Sequence, residues 1–127
     1  MDSQFRLIFA VFLGGAAGTL LRVAVGQVLV GAGSFGLLAV FVVNVAGALV
    51  LGWFGERVRH AAPWSTPMVA FVGVGLLGSF TTFSAFSVES IELFQSGSWL
   101  VGLLYVTGTV GIGLIAAIQG RRFVSAP

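Results

Sequence analysis

The sequence predicts an all-α integral membrane protein, four transmembrane helices joined by short loops in a single domain over residues 1–127. Three observations carry this prediction. Charged residues make up 8% of the chain, against about 25% in a soluble domain, while 57% of the residues are apolar. Mean hydropathy is +1.08, and so few polar side chains cannot clothe a soluble 13.2 kDa fold. The apolar residues also fall into four runs of about 20, the length a helix needs to cross roughly 30 Å of hydrocarbon. Together these exclude an ordinary soluble enzyme, a disordered regulator and a nucleic-acid binder. The pI near 10.6 does not mark a basic patch, because the net charge is only +2 and the cations are 6 scattered arginines. With no cysteine there is no disulfide and no thiolate metal site.

The first span is expected over about residues 5–29. Arg6 stands at its start and Arg22 interrupts it, and it is too long for the apolar core of a cleaved signal peptide. Gly14, Gly18, Arg22 and Gly26 recur every fourth residue and share one helix face, the glycines reading as a close helix–helix contact. Arg22 has two readings: a stem that snorkels to an interface, or a fixed positive charge beside an anion path.

The second span, about residues 35–54, carries Asn44 at its middle. Its amide offers two N–H donors and an acceptor, suited either to interhelical hydrogen bonding or to a polar ligand. The third span, about residues 68–88, runs into GLLGSFTTFSAFSVE (Gly75 to Glu89). There Gly75, Gly78, Ser79, Thr81, Thr82, Ser84 and Ser87 interrupt the apolar pattern, and the helix is expected to break near the bilayer midplane. Irregular backbone at that depth is tolerated only when buried in protein or lining a cavity. Phe80, Phe83 and Phe86 recur every third residue through the stretch, as packing or as a lining. The fourth span, about residues 99–118, aligns Gly102, Tyr105, Thr109 and Gly113 on one stripe, with Tyr105 and Thr109 as neighbouring hydroxyls.

The connections are short, and Trp53, Trp64 and Trp99 stand at span ends, where indoles favour the headgroup region. Arg6, Arg57, Arg59, Arg121 and Arg122 lie on the side of the termini and the second loop; the other two loops carry no Lys or Arg. The positive-inside rule places both termini in the cytoplasm. His60 reads as a solvated loop residue beside Arg59, and Glu89 and Glu92 as residues at the end of the third span. No carboxylate lies deep in a span, as a proton-coupled exporter needs, and no nucleophile–base pair or phosphate-binding loop is present. The pattern is that of a channel or a structural membrane protein, not a pump or an enzyme.

Three stretches, GGAAGTLLR (Gly14 to Arg22), VNVAGALVLG (Val43 to Gly52) and GLLGSFTTFSAFSVE, fall in order on the first three spans and closely resemble the Fluc (CrcB) family of fluoride channels. The resemblance covers nearly the whole chain. It implies an antiparallel, dual-topology dimer of four-helix subunits with fluoride pores along the interface, surrounded by membrane lipid, and a passive channel that exports fluoride. By motif, the pore residues fall on Asn44, Phe83, Phe86, Tyr105 and Thr109, with Ser84 beside them. A structural sodium ion at the dimer centre is implied on the backbone carbonyls of Gly78 and Thr81. The chain departs from the family pattern at Gly113, where relatives continue the hydroxyl track, and at Val40, where some carry Thr.

A small proton-coupled multidrug-type exporter is the alternative function, and a non-transporting assembly protein a third. The strong arginine asymmetry favours one insertion direction, whereas an antiparallel pair of identical chains needs both. A homodimer is expected, with a heterodimer of oppositely inserted sister chains as the alternative.

Overall fold

The computed structural model describes residues 2–31, 33, 36–60 and 63–125. Phe35, the expected start of the second span, lies outside the described residues. Helix α1 (Ser3–Gly31) and helix α2 (Gly36–His60) are long and continuous. The third span, Thr66–Gln95, comprises α3 (Thr66–Val69), a π-helical stretch (Ala70–Leu77), α4 (Gly78–Phe80) and α5 (Phe83–Gln95). Helix α6 spans Trp99–Ser125. Among the described residues, 4 helical segments are long and apolar enough to cross a membrane.

Several helices continue past their apolar stretches, and the polar residues explain why. At the end of α2, Arg59 and His60 lie three and four residues after Glu56, the spacing that brings side chains together on a helix. His60 is therefore not a loop residue, as its charged neighbourhood suggested. It occupies the last turn of α2, with its Nε2 2.9 Å from Glu56 Oε1. Arg59 Nη1 and Arg121 Nε donate to Glu56 Oε2 at 3.3 and 3.2 Å. Glu56 is buried, and it ties the end of α2 to α6.

Two glycine-mediated contacts set the packing. α2 lies along α6 more extensively than any other pair of elements. A Cβ at Gly52 would strike the Ala117 carbonyl, and one at Gly120 the Leu49 carbonyl, so the two backbones touch. α1 lies in the same manner on the π-helical stretch, where Gly14 and Gly18 meet the carbonyls of Phe71 and Leu76. Gly26, on the same α1 stripe, faces open space instead. Close backbone approach at small residues is how helices associate in lipid, where apolar burial gives no driving force between them. The core is correspondingly thin, with Val43, Phe54, Leu77 and Phe80 its larger members. Large apolar side chains such as Leu20, Val28 and Leu100 are exposed on the single chain.

Candidate functional site

The third span loses its helical backbone at two residues. Thr81 (φ −73°, ψ 156°) and Thr82 (φ −143°, ψ 116°) are extended, and the helix restarts at Phe83. Asn44, from α2, holds this segment with both ends of its amide. Thr82 N–H donates to Asn44 Oδ1 at 2.8 Å, and Asn44 Nδ2 donates to the Thr82 carbonyl at 3.0 Å. One side chain thus pairs with a backbone unit as a neighbouring strand would. Asn44 Nδ2 carries a second hydrogen, which this pairing does not use. Thr82 then caps α5: its Oγ1 accepts from Ala85 N–H at 3.2 Å and lies 3.3 Å from Ser84 Oγ.

This rerouting changes which carbonyls are satisfied. In an uninterrupted helix Thr82 N–H would serve the Gly78 carbonyl and Ala85 N–H the Thr81 carbonyl. Here those donors go to Asn44 and to Thr82 Oγ1. The Ser79 carbonyl is taken by Arg22, whose Nε donates at 3.2 Å. Arg22 thus places its guanidinium against the interruption. Arg22 and Thr82 also line a half-open cavity of about 90 Å³, walled otherwise by Gly26, Ala39, Val40, Val43 and Ala85.

The other candidates gather on α5 and α6. The ring centroids of Phe83 and Phe86 are 5.9 Å apart, and those of Phe86 and Tyr105 5.5 Å, forming an aromatic ladder across the two helices. Phe83 is 80% exposed on the single chain. Tyr105 O–H donates to Glu89 Oε2 at 2.5 Å. Thr109, one turn further along α6, is buried, and its Oγ1 has no hydrogen-bond partner among the described residues. Gly113 faces open space.

The structure thus gathers Asn44, Gly78, Thr81, Ser84 and Arg22 about one interruption, and Phe83, Phe86 and Tyr105 on the ladder that leads from it. Thr109 is buried one turn beyond Tyr105 on α6. Sequence reasoning missed Glu89, which it set at the end of the third span. That span continues to Gln95, so Glu89 lies inside it. Its position three residues after Phe86 and six after Phe83 was the available signal.

Four helical segments long and apolar enough to cross a membrane define a multi-pass membrane protein, and irregular backbone within such a span is a setting in which transport proteins place their sites. The family model described as "CrcB-like protein, Camphor Resistance (CrcB)" matches residues 9–121, and the chain belongs to that family. Similar relatives include a protein named fluoride-specific ion channel FluC from Rhizobium etli (strain CIAT 652), 40% identical over 93% of this chain and 95% of its own length. Another of that name, from Oceanobacillus iheyensis, is 38% identical over 92% of this chain and 90% of its own. Fluoride-specific ion channel FluC 1 from Mycobacterium tuberculosis (strain CDC 1551 / Oshkosh) is 35% identical over 91% and 87%.

Proposed function

We propose that this protein is a passive fluoride channel that lets fluoride leave the cytoplasm and so relieves its toxicity. The observation that carries the reading is the likeness, over most of the chain, to relatives named fluoride-specific ion channels. An inside-negative membrane potential drives an anion outward by about 2.3 kcal/mol per 100 mV, so no further energy source is needed.

Fluoride is small and tightly hydrated, and a pore must replace its water with donors. The unused Asn44 N–H is one such donor, and the unpartnered Thr109 hydroxyl a second. Leaving a buried hydroxyl unpaired costs about 1–3 kcal/mol, which a passing ion would offset. Tyr105 is the third; its hydrogen is held by Glu89 and turns towards the ion when fluoride arrives. The edges of Phe83 and Phe86 present the positive rim of the ring quadrupole to the anion. Arg22 supplies a stationary positive charge at the interruption, and Ser84 an exposed hydroxyl nearby.

Asn44 stands at the middle of α2, so the segment it grips divides the third span near the bilayer midplane. Gly78 is exposed and Thr81 half-buried on the single chain. Lipid does not tolerate such backbone at that depth, which supports a covering partner, and the partner we propose is a second, antiparallel copy. The Gly78 and Thr81 carbonyls, deprived of their helical donors, suit a hard cation such as sodium. Held there, sodium would add fixed positive charge at the centre of the pair.

The test is fluoride efflux from liposomes loaded with potassium fluoride. Valinomycin alone should release fluoride at the full rate, with a protonophore adding nothing. Efflux that requires the protonophore, or an imposed proton gradient, would point to a coupled exporter.

A further inference from the structure

We propose that the notch around Arg6, at the start of α1, binds an anionic glycerophospholipid, with the phosphate on Arg6 and an acyl chain in the adjoining groove. The proposal is independent of what the channel carries. Arg6 sits between two clefts of about 260 and 550 Å³, the larger within the range of about 300–1,000 Å³ typical of ligand sites. Phe9, Leu13 and Phe71 wall the larger cleft, giving an apolar groove that runs from the arginine along α1.

Three features mark the end of that groove as a phosphate site at headgroup depth. Arg22, Arg59 and Arg121 each donate to a protein oxygen, whereas the Arg6 guanidinium has no hydrogen bond or ion pair among the described residues. Asp2, one turn before it, is exposed and meets Arg6 only through a backbone bond from the Arg6 N–H to its carbonyl. Ser65, at the cap of α3, makes no capping hydrogen bond with its side chain, and Thr66 and Ser65 line the smaller and the larger cleft respectively. Close by in the chain, Trp64 meets Phe54 edge-on at 5.5 Å, an indole placed as residues at the membrane–water boundary are.

A guanidinium fork matches phosphate oxygens in geometry and charge. Basic pockets between membrane helices recognise anionic headgroups in this manner. A free phosphate would use the fork and leave the groove empty, while a neutral lipid would use the groove and lack the net charge that Arg6 complements. The combination selects an anionic lipid.

The experiment is native mass spectrometry of the full chain in detergent, titrated with phosphatidylglycerol or with phosphatidylcholine of the same acyl chains. Phosphatidylglycerol should bind more tightly, and Arg6→Gln should weaken it about tenfold while leaving phosphatidylcholine unchanged. Leu13→Trp, which fills the groove and keeps the arginine, should weaken it too, and Arg57→Gln, exposed and outside both clefts, should not. Helix content by circular dichroism establishes that each variant is folded. Equal binding of the two lipids would overturn the proposal, as would an unaltered Arg6→Gln. Displacement by inorganic phosphate with no effect of Leu13→Trp would reduce the site to a simple anion contact. Lipid adducts confined to dissociated single chains would show that a second copy fills the groove.

Discussion

Replacing Asn44 by Ala removes the side chain that grips the extended segment, and the geometry sets the size of the effect. Thr82 is 8% exposed, so its backbone groups have little access to solvent. Without Asn44 the Thr82 carbonyl can still accept the first helical bond of α5. The Thr82 N–H cannot be served from within its own segment. A stranded buried donor costs about 1–3 kcal/mol. Interhelical hydrogen bonds in bilayers average nearer 0.6 kcal/mol, because the unfolded chain finds other partners there. The expected loss is therefore about 2 kcal/mol, read as a lower midpoint in denaturant titration of the micelle-bound protein. Fluoride efflux from liposomes should fall further than stability does, because the same substitution removes a donor from the proposed path. A folded Asn44→Ala variant with wild-type efflux would refute the donor role. A stability loss below about 0.5 kcal/mol would refute the clamp.

Three further outcomes follow from the same geometry. Phe83→Ile and Phe86→Ile keep most of the apolar volume and lose the ring edge, so both should abolish or severely reduce efflux while helix content and assembly are retained; normal efflux from both would remove the aromatic part of the mechanism. Gly18→Val puts a side chain into the Leu76 carbonyl, and overpacking of this kind costs about 1–3 kcal/mol, so thermal unfolding should shift downward, whereas Gly26→Val, which meets open space, should leave it unchanged. Protein expressed alone should crosslink as a two-chain species active in liposomes; uniform insertion with no flux until a second gene product is added would instead establish a heterodimer.

The parts of the fold that depend on local chemistry were legible in the sequence, and those that depend on distant partners were not. Apolar run length alone located the four spans. The cluster of hydroxyls after Gly75 drew attention to the stretch that the backbone leaves extended at Thr81 and Thr82. Asn44 and Thr82 were each visible as polar residues in apolar spans, but nothing in a linear pattern joins two residues 38 positions apart. The same holds for Arg121 reaching Glu56 across 65 positions. The i, i+4 pairing of Glu56 with His60 was readable, yet the charged neighbourhood suggested a loop, because a helix that outlasts its apolar run leaves no hydropathy signal. The π-helical stretch from Ala70 to Leu77 has no composition that distinguishes it from an ordinary buried helix. Its bed against Gly14 and Gly18 of α1 appears only in three dimensions.

The central claim is fluoride conduction, and the most direct measurement is the reversal potential of purified wild-type protein in a planar bilayer with a fluoride gradient and symmetrical chloride. The account predicts a current that reverses at the fluoride equilibrium potential and follows it as the gradient is changed. A current that reverses at zero regardless of the fluoride gradient, or the absence of any current from protein shown to be folded and inserted, would contradict it.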